Sequence, residues 1–112
     1  MIFGAFQPEL VGTVGVARDR HLKAGHRMNI WGMYVVPEQR RKGIAVTLLD
    51  TAVRHARALP GVSWLQLGVS SAAPEARRLY ERAGFQIWGS EEDALRHEGR
   101  AVVEYHMALR LD

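Results

Sequence analysis

The sequence predicts one domain of the mixed α/β class, and three observations support this prediction. Strand-like and helix-like hydrophobic periods follow one another in the order β-β-β-α-β-α-β-β. The strand–helix–strand–helix run in the middle favours a right-handed crossover with a parallel pair of strands at the centre of the sheet. The chain has 112 residues, 47% of them hydrophobic, which suits a single core, and neither a repeat nor an interdomain linker divides residues 1–112.

The predicted elements are separated by turn and cap residues. In chain order they are strands over 1–6, 10–17 and 27–36, a helix over 43–59, a strand over 62–69, a helix over 74–83, a strand that starts over 85–88, and a strand over 100–109.

The first three strands are predicted from apolar stretches and the turns between them. Pro8 lies in a turn over 7–9, so the first two strands form a hairpin. Gly12 and Gly15 weaken the second strand but permit close approach of another backbone. After a polar loop, the third strand is mostly apolar on both faces, as expected of a central strand. Pro37 ends it.

The two helices are predicted from apolar residues spaced by three and four positions. The apolar face of the first helix consists of Ile44, Ala45, Leu48, Leu49, Ala52, Val53 and Ala56. Pro60 and Gly61 stop this helix. Proline is tolerated in the first turn of the second helix, at Pro74, and Gly84 is a natural C-terminal cap. The apolar face of the second helix consists of Ala76, Leu79, Tyr80 and Ala83.

A strand of bulky apolar residues lies between the two helices, and a hairpin ends the predicted order. Glu98 and Gly99 form the turn of that hairpin. An acidic run over 91–93 lies on it and could attract a cation, although such runs are more often solvated loop.

The composition excludes several kinds of site. There is no cysteine, which rules out disulfides, thiolate metal sites and a cysteine nucleophile. We expect no metal, because the histidines outside the last strand have no metal-ligand spacing. No apolar run reaches membrane-spanning length and no signal-peptide layout is present, so we expect a cytoplasmic protein with no membrane partner. The formal charge is +3, but no basic stripe is interleaved with aromatic residues, so we expect no nucleic-acid partner.

The most informative segment is 36–45. There an apolar strand meets Pro37, then a basic loop that contains glycine, and then a long amphipathic helix. Such a loop points backbone N–H groups into one concavity, with the positive end of the helix dipole behind them. Arg40, Arg41 and Lys42 add positive charge. The arrangement suits a pyrophosphate group, and the alternative is an ordinary helix start with solvated side chains.

Two motifs resemble those of the GNAT superfamily of N-acetyltransferases, which transfer acetyl groups from acetyl-CoA to amines. The signature Arg-x-x-Gly-x-Gly/Ala is met at the start of the first helix by Arg40, Gly43 and Ala45. The signature Ala-x-x-Leu-Tyr-x-x-x-Gly-Phe is met on the second helix by Ala76, Leu79, Tyr80, Gly84 and Phe85. Both motifs stand in the expected order and on the expected elements, and this agreement supports the resemblance.

The resemblance implies acetyl-CoA as co-substrate, in a gap between the strands over 27–36 and 62–69. The backbone groups of Met33, Tyr34 and Val35 would bind the pantetheine arm. The loop that would cradle the pyrophosphate consists of Arg40, Arg41, Lys42, Gly43, Ile44 and Ala45. A side chain at position 43 would hold the backbone away from the phosphate oxygens. Ala73 lies at the cofactor site in the place of an asparagine that often opens the second signature, so one hydrogen bond to the cofactor would be missing.

The resemblance gives Tyr80 the role of protonating the departing thiolate. A phenol is a suitable donor, because its unperturbed pKa lies near that of the thiol. The alternative is a core tyrosine on the apolar face of the helix, with its hydroxyl bonded to backbone.

The general base is harder to assign from the residues. Family members often use a glutamate on the central strand or on the next parallel strand, but the corresponding places here hold Asn29 and Gly68. Glu104 and His106 share one face of the last strand, because side chains alternate along a strand. Either could contact a water near the amine, and a solvated cross-strand polar pair is the other interpretation.

The resemblance therefore implies direct acetyl transfer to an amine acceptor, either a small molecule or a peptide, within a ternary complex. A backbone N–H of the segment 33–35 would stabilise the oxyanion. The alternatives are an acyl-CoA-binding module with weak or no catalysis and a subunit of a larger complex. The family's usual first strand and two helices do not precede Met1 in this sequence, so we expect either a minimal version, a fragment of a longer chain, or a site closed by a partner subunit. Sheet surface left exposed would favour a homodimer.

Overall fold

The structure, a computed structural model, describes residues 1–6, 10–18, 25–40 and 43–112. Its elements are β1 (Ile2–Phe6), β2 (Leu10–Arg18), β3 (Arg27–Val35), a 3-10 turn (Pro37–Gln39), α1 (Ile44–Ala58), β4 (Trp64–Ser70), α2 (Pro74–Arg82), β5 (Gln86–His97) and β6 (Arg100–Arg110). The strands form one six-stranded mixed sheet in the order β1-β2-β3-β4-β6-β5. The predicted fold class and order of elements are confirmed. The turn predicted over 7–9 lies outside the described residues, as does most of the loop over 19–26.

The chain forms two compact units. The first consists of Met1–Leu65 with Leu111–Asp112, and the second of Gln66–Arg110. No helix in the described ranges is long and apolar enough to span a membrane.

In the first unit, β1, β2 and β3 form an antiparallel meander with α1 on one face. Glycine at position 12 lets the helix approach β2 closely, since a Cβ there would lie 3.0 Å from Leu48 Cδ1. The apolar spacing of α1 produces its packed face, and the buried residues of the helix are Ile44, Leu48, Leu49, Ala52, Val53 and Ala56. Ala45, which was also predicted for this face, is half-buried. Burial of each leucine contributes about 1.5–3 kcal/mol.

The other face of this meander is open and apolar. The indole of Trp31 lies flat on Gly15, where any Cβ would overlap the ring. Ile2 pairs with Gly15 in the sheet, and Phe6 pairs with Leu10. The exposed apolar residues on this face are Ile2, Phe6, Leu10 and Trp31.

In the second unit, β5 and β6 form a long hairpin around the predicted turn. Glu98 and Gly99 have φ values of 52° and 77°, as a two-residue hairpin turn with primed geometry requires. The pairs Glu91↔Glu104 and Leu95↔Val102 leave two extra residues in β5, so this strand carries a bulge that the sequence analysis did not predict.

The apolar face predicted for α2 is only partly confirmed. Tyr80 is buried, and Ala76 and Leu79 are half-buried, but Ala83 is exposed. The helix ends at Arg82, and the N–H of Ala83 caps it by donating to the carbonyls of Leu79 and Tyr80. Ala83 therefore belongs to the cap and not to the packed face.

Candidate functional site

The first unit carries an open, uncapped helix start at Gly43. This residue has φ 80° and ψ 3°, a left-handed conformation that favours glycine, and no side chain caps α1. The first N–H groups of a helix lack partners within it, and no acidic residue lies in this first turn. A Cβ on Gly43 would meet nothing within 4 Å, so the space around its α-carbon is open. Free N–H donors and the positive end of the helix dipole therefore make an anion-binding end.

Arg40 is held beside this helix start by two residues of β3. Its Nε donates to the carbonyl of Val35 at 3.0 Å, and its guanidinium lies 5.6 Å from the centre of the Tyr34 ring. The terminal amino groups of Arg40 make no hydrogen bond to any described residue, so they can bind an anion. Arg41 and Lys42, also predicted for this loop, lie outside the described residues.

A bulge in β3 precedes the segment predicted to bind the pantetheine arm. The pairs Thr13↔Tyr34 and Gly15↔Trp31 leave one extra residue in β3. Gly32 has φ 60°, and its carbonyl accepts a hydrogen bond from Thr13 Oγ1 at 3.1 Å. A bulge leaves backbone groups unpaired and redirects the strand, so it changes the direction of the groups at 33–35. In that segment Met33 is half-buried, Tyr34 exposed and Val35 buried. The sequence analysis missed this bulge, although a glycine inside a strand pattern is its usual signal.

The second unit carries Tyr80 on α2. The residue is only 6% exposed, and its ring packs edge-on against Phe85 with the ring centres 5.8 Å apart. Burial raises the pKa of the Tyr80 phenol above its ordinary value of 10.0, so the neutral form is favoured. Its hydroxyl makes no hydrogen bond within the described part of the chain. The backbone-bonded core tyrosine considered as the alternative is therefore not seen there.

Ala73 precedes α2 as the residue that caps it. Its N–H donates to the carbonyl of Ser70 at 3.0 Å, and its own carbonyl accepts from the N–H of Arg77 at 3.1 Å. With a methyl side chain it cannot bond to the first turn of the helix. This leaves the first N–H groups of α2 without a side-chain acceptor.

The structure places Glu104 and His106 together, as their alternation predicts, and adds Glu91 from β5. A ligand atom of each of the three lies within 4.8 Å of the others, which is a set that could hold a cation. His106 Nε2 lies 3.1 Å from Glu91 Oε1, and the imidazole stacks on the Trp88 ring at 5.4 Å. The sequence pattern places Glu91 in an acidic run of a kind that is usually solvated. It does not place Glu91 beside Glu104, because the pairing Glu91↔Glu104 depends on the register of the hairpin.

Glu104 also lies against the backbone of β4. Its carboxylate covers the α-carbon of Gly68, and a Cβ built there would overlap Glu104 Oε1 and lie 2.9 Å from Glu104 Cδ. Position 68 is one of the two positions that correspond to the glutamate base of family members, and here it holds glycine. Asn29, the other place, pairs with Ala17 in β2.

The sequence matches the model of the acetyltransferase (GNAT) family over residues 1–85. No curated protein matches the chain. Its fold is similar to that of a GNAT-family acetyltransferase from Streptococcus pneumoniae, with a TM-score of 0.86 and 24% identity over 95% of this chain. Ribosomal-protein-alanine N-acetyltransferase from Brucella melitensis gives a TM-score of 0.88 with 22% identity over 98% of this chain.

A Salmonella typhimurium protein solved with its cofactor acetyl-CoA gives a TM-score of 0.89, with 20% identity over 99% of this chain. The chain spans 62%, 68% and 64%, respectively, of the length of these three structures. At such identities the structural likeness establishes the fold, and the match over residues 1–85 establishes the family.

Proposed function

The chain belongs to the acetyltransferase (GNAT) family, and on this premise we propose that it transfers the acetyl group of acetyl-CoA to an amine. The observation that carries the proposal is the start of α1, where a left-handed glycine, free N–H groups and open space meet in the family's signature. Pyrophosphate is the anion that this end of the helix suits. The Salmonella protein with bound acetyl-CoA has the same fold, which supports this cofactor.

Apart from Ala73, the residues that we propose to contact the cofactor belong to the first unit. Arg40 and the N–H groups that follow Gly43, at Ile44 and Ala45, bind the pyrophosphate. Arg41 and Lys42 belong to the same proposed loop and add charge to it. The backbone groups of 33–35, redirected by the bulge at Gly32, bind the pantetheine arm. The side chain of Ala73 contributes no hydrogen bond, so contact there is limited to its backbone and methyl group.

Acetyl-CoA supplies an activated thioester, and the chain's own groups act on the charges that develop during transfer. Glu104 takes a proton from the acceptor's ammonium, directly or through a water, and frees the amine to attack the carbonyl carbon. A backbone N–H of 33–35 donates to the carbonyl oxygen as it becomes negative. The carbon–sulfur bond then breaks, and Tyr80 gives its proton to the thiolate. The nitrogen of the new amide loses its second proton, and this proton returns the Tyr80 phenolate to the phenol through solvent. Because burial raises the pKa of Tyr80, the phenol holds this proton at neutral pH.

The proposed acceptor is a primary amine on a small molecule or a peptide. Among similar structures, one is a ribosomal-protein-alanine N-acetyltransferase and another is a plant protein in complex with a bisubstrate analogue. These names support an amine acceptor in general and leave open which amine this chain acetylates.

The test of the cofactor site is a calorimetric titration with acetyl-CoA. In Gly43→Asp a carboxylate is added where the pyrophosphate would bind, and we expect affinity to fall at least tenfold. Gly61→Asp is the matched control, because Gly61 has nearly the same φ, 78°, and an equally open surrounding at the other end of α1. Equal affinity in the two variants would contradict the proposed site.

The second candidate function is an acyl-CoA-binding module with weak or no catalysis, alone or as a subunit of a larger complex. The absence of a hydrogen-bonding side chain at Ala73 favours it. Turnover with a panel of amines separates the two functions. Tight acetyl-CoA binding with no acetylated product from any amine would favour the module.

We further propose that the protein works in the cytoplasm as a homodimer. The open face of the first unit, with Ile2, Phe6, Leu10 and Trp31, is apolar, and such surface is usually buried by a partner. β1, which carries Ile2 and Phe6, is at the end of the sheet order and has no charged side chain, so it offers an unprotected edge to a second copy. Light scattering would give a dimer mass, and Phe6→Lys would convert the protein to a monomer. A monomeric wild type would contradict this.

A further inference from the structure

We propose that Gly68 is a positioning residue for Glu104, so that β6 supplies the base at a place where β4 carries no side chain. The inference rests on the proposed acetyl transfer and deepens it by assigning how the base is held. It is drawn entirely from contacts within the second unit.

The position of Gly68 in its strand makes this placement possible. Along β4, Leu65, Leu67 and Val69 are buried, whereas Gly68 is exposed. Gly68 therefore faces the open side of the sheet, where successive side chains alternate. With no side chain of its own it leaves a gap, and the carboxylate of Glu104 fills this gap.

The contact leaves no room for a side chain at position 68 unless the Glu104 carboxyl group moves away. The Cβ of an alanine would overlap Glu104 Oε1, and it would also lie 2.9 Å from Cδ and 3.4 Å from Cγ. An alanine would therefore displace the whole carboxyl group and not only one oxygen. Gly89 in β5 is a useful contrast, since its φ is not positive and a Cβ there meets nothing within 4 Å.

In the cluster of Glu91, Glu104 and His106, Glu104 is the carboxylate that remains available as a base. Glu91 is its direct partner across the hairpin, and Glu91 is engaged by His106 at 3.1 Å. The Glu104 carboxylate makes no hydrogen bond to any residue that the structure describes. Two carboxylates directly opposite one another repel, so a cation near Glu104 is favoured. The ammonium of an acceptor amine, from which a base must take a proton, meets this requirement.

The experiment compares alanine at the two glycines in steady-state acetylation of a responsive amine. We expect Gly68→Ala to lower kcat at least tenfold with the KM for acetyl-CoA unchanged, and Gly89→Ala to stay within twofold of the wild type. Glu104→Ala should lose about 10²–10⁴-fold in rate, the range typical for removal of a general base.

A transposition of the carboxylate tests positioning against a merely structural role. In the double variant Gly68→Asp/Glu104→Ala, an aspartate at 68 places its carboxyl one bond beyond the Cβ, in the space that Glu104 occupies. We expect this double variant to exceed Glu104→Ala at least tenfold, while Gly68→Asp alone is impaired by the crowding of two carboxylates. Such a recovery would show that positions 68 and 104 are coupled, because the effects of substitutions at independent sites add.

Two results would overturn the inference. One is equal activity of the two alanine variants, and the other is a double variant no faster than Glu104→Ala. Acetylation by the wild type tests the proposed function itself. If the wild type acetylates no amine, the proposed function is wrong, and so is the role of Glu104 as base. The carboxyl resonance of Glu104 in a 13C NMR spectrum still decides the placement, because Gly68→Ala should move it and Gly89→Ala should not.

Discussion

Replacement of Tyr80 by phenylalanine should separate catalysis from stability. The change removes one hydroxyl and leaves the ring, which is 6% exposed and packed on Phe85. No hydrogen bond to a described residue is lost, so the unfolding free energy should change by less than about 1 kcal/mol, in either direction. A core tyrosine with a hydrogen-bonded hydroxyl would lose about 0.5–1.5 kcal/mol for the bond alone, and more if its partner were left buried.

The expected effect on turnover is much larger. Loss of a positioned general acid typically costs about 10²–10⁴-fold in rate. At about 1.36 kcal/mol for each factor of ten, this raises the barrier by about 2.7–5.4 kcal/mol. The loss should lie in kcat, with affinity for acetyl-CoA unchanged, because the proposed role of the hydroxyl begins when the thiolate leaves.

The pH dependence of stability provides an independent check on Tyr80. Burial raises the pKa of the phenol in the folded chain above 10.0, its ordinary value, so the folded state holds this proton more tightly than the unfolded state. The resulting stabilisation is fully present below pH 10 and is lost as pH rises through the folded-state pKa. Tyr80→Phe should remove this alkaline loss.

Two measurements on the wild type and Tyr80→Phe test these expectations. Urea unfolding at neutral and alkaline pH gives the stability, and steady-state acetylation gives the turnover. Turnover by Tyr80→Phe within threefold of wild type would refute the role of proton donor. A loss of stability above about 1.5 kcal/mol would show that the hydroxyl is bonded in the core, which contradicts a hydroxyl that is free to reach the thiolate.

Three further predictions concern packing and capping. Leu65→Ala should cost about 2–5 kcal/mol in a urea titration, because Leu65 is fully buried, and a cost under about 1 kcal/mol would contradict the packing. Gly15→Ala should destabilise the first unit by about 1–3 kcal/mol and shift the fluorescence of Trp31, whose ring covers the glycine, whereas an unchanged spectrum would contradict that contact. Ala73→Asn should supply the missing cap of α2 and raise stability by about 0.5–1 kcal/mol, measured by thermal melting, and a lowered melting temperature would show that the backbone at 73 does not admit a cap.

The helices and the open start of α1 were predictable from the sequence because their determinants are local. The spacing of Leu48, Ala52 and Ala56 alone places them on one face of a helix, whatever lies opposite. Likewise, a glycine directly before a helix and after a basic loop needs no tertiary contact to produce an open N-terminal end. Gly99 marks the last turn in the same way, because glycine readily adopts the positive φ that this turn requires.

The arrangement around Glu104 was decided by the tertiary structure. Alternation predicts that Glu104 and His106 share a face, but not which residues face them from the neighbouring strands. Those residues depend on register: a bulge in β5 sets Glu91 opposite Glu104, and the pairing of the strands brings Gly68 beneath it. A shift of one residue would send every side chain of a strand to the other face, and no local preference fixes register between distant segments.

The same distinction between local and tertiary determinants applies to Tyr80 and to the start of α1. The motif in the sequence identified Tyr80, but only the folded chain shows that its ring is buried and its hydroxyl has no hydrogen-bond partner among the described residues. Sequence by itself determined the fold class, the two helices and the glycine at the start of α1, since propensity and periodicity act between near neighbours. The tertiary structure alone decided which distant side chains meet, because the free energy of those contacts arises only once the strands have paired.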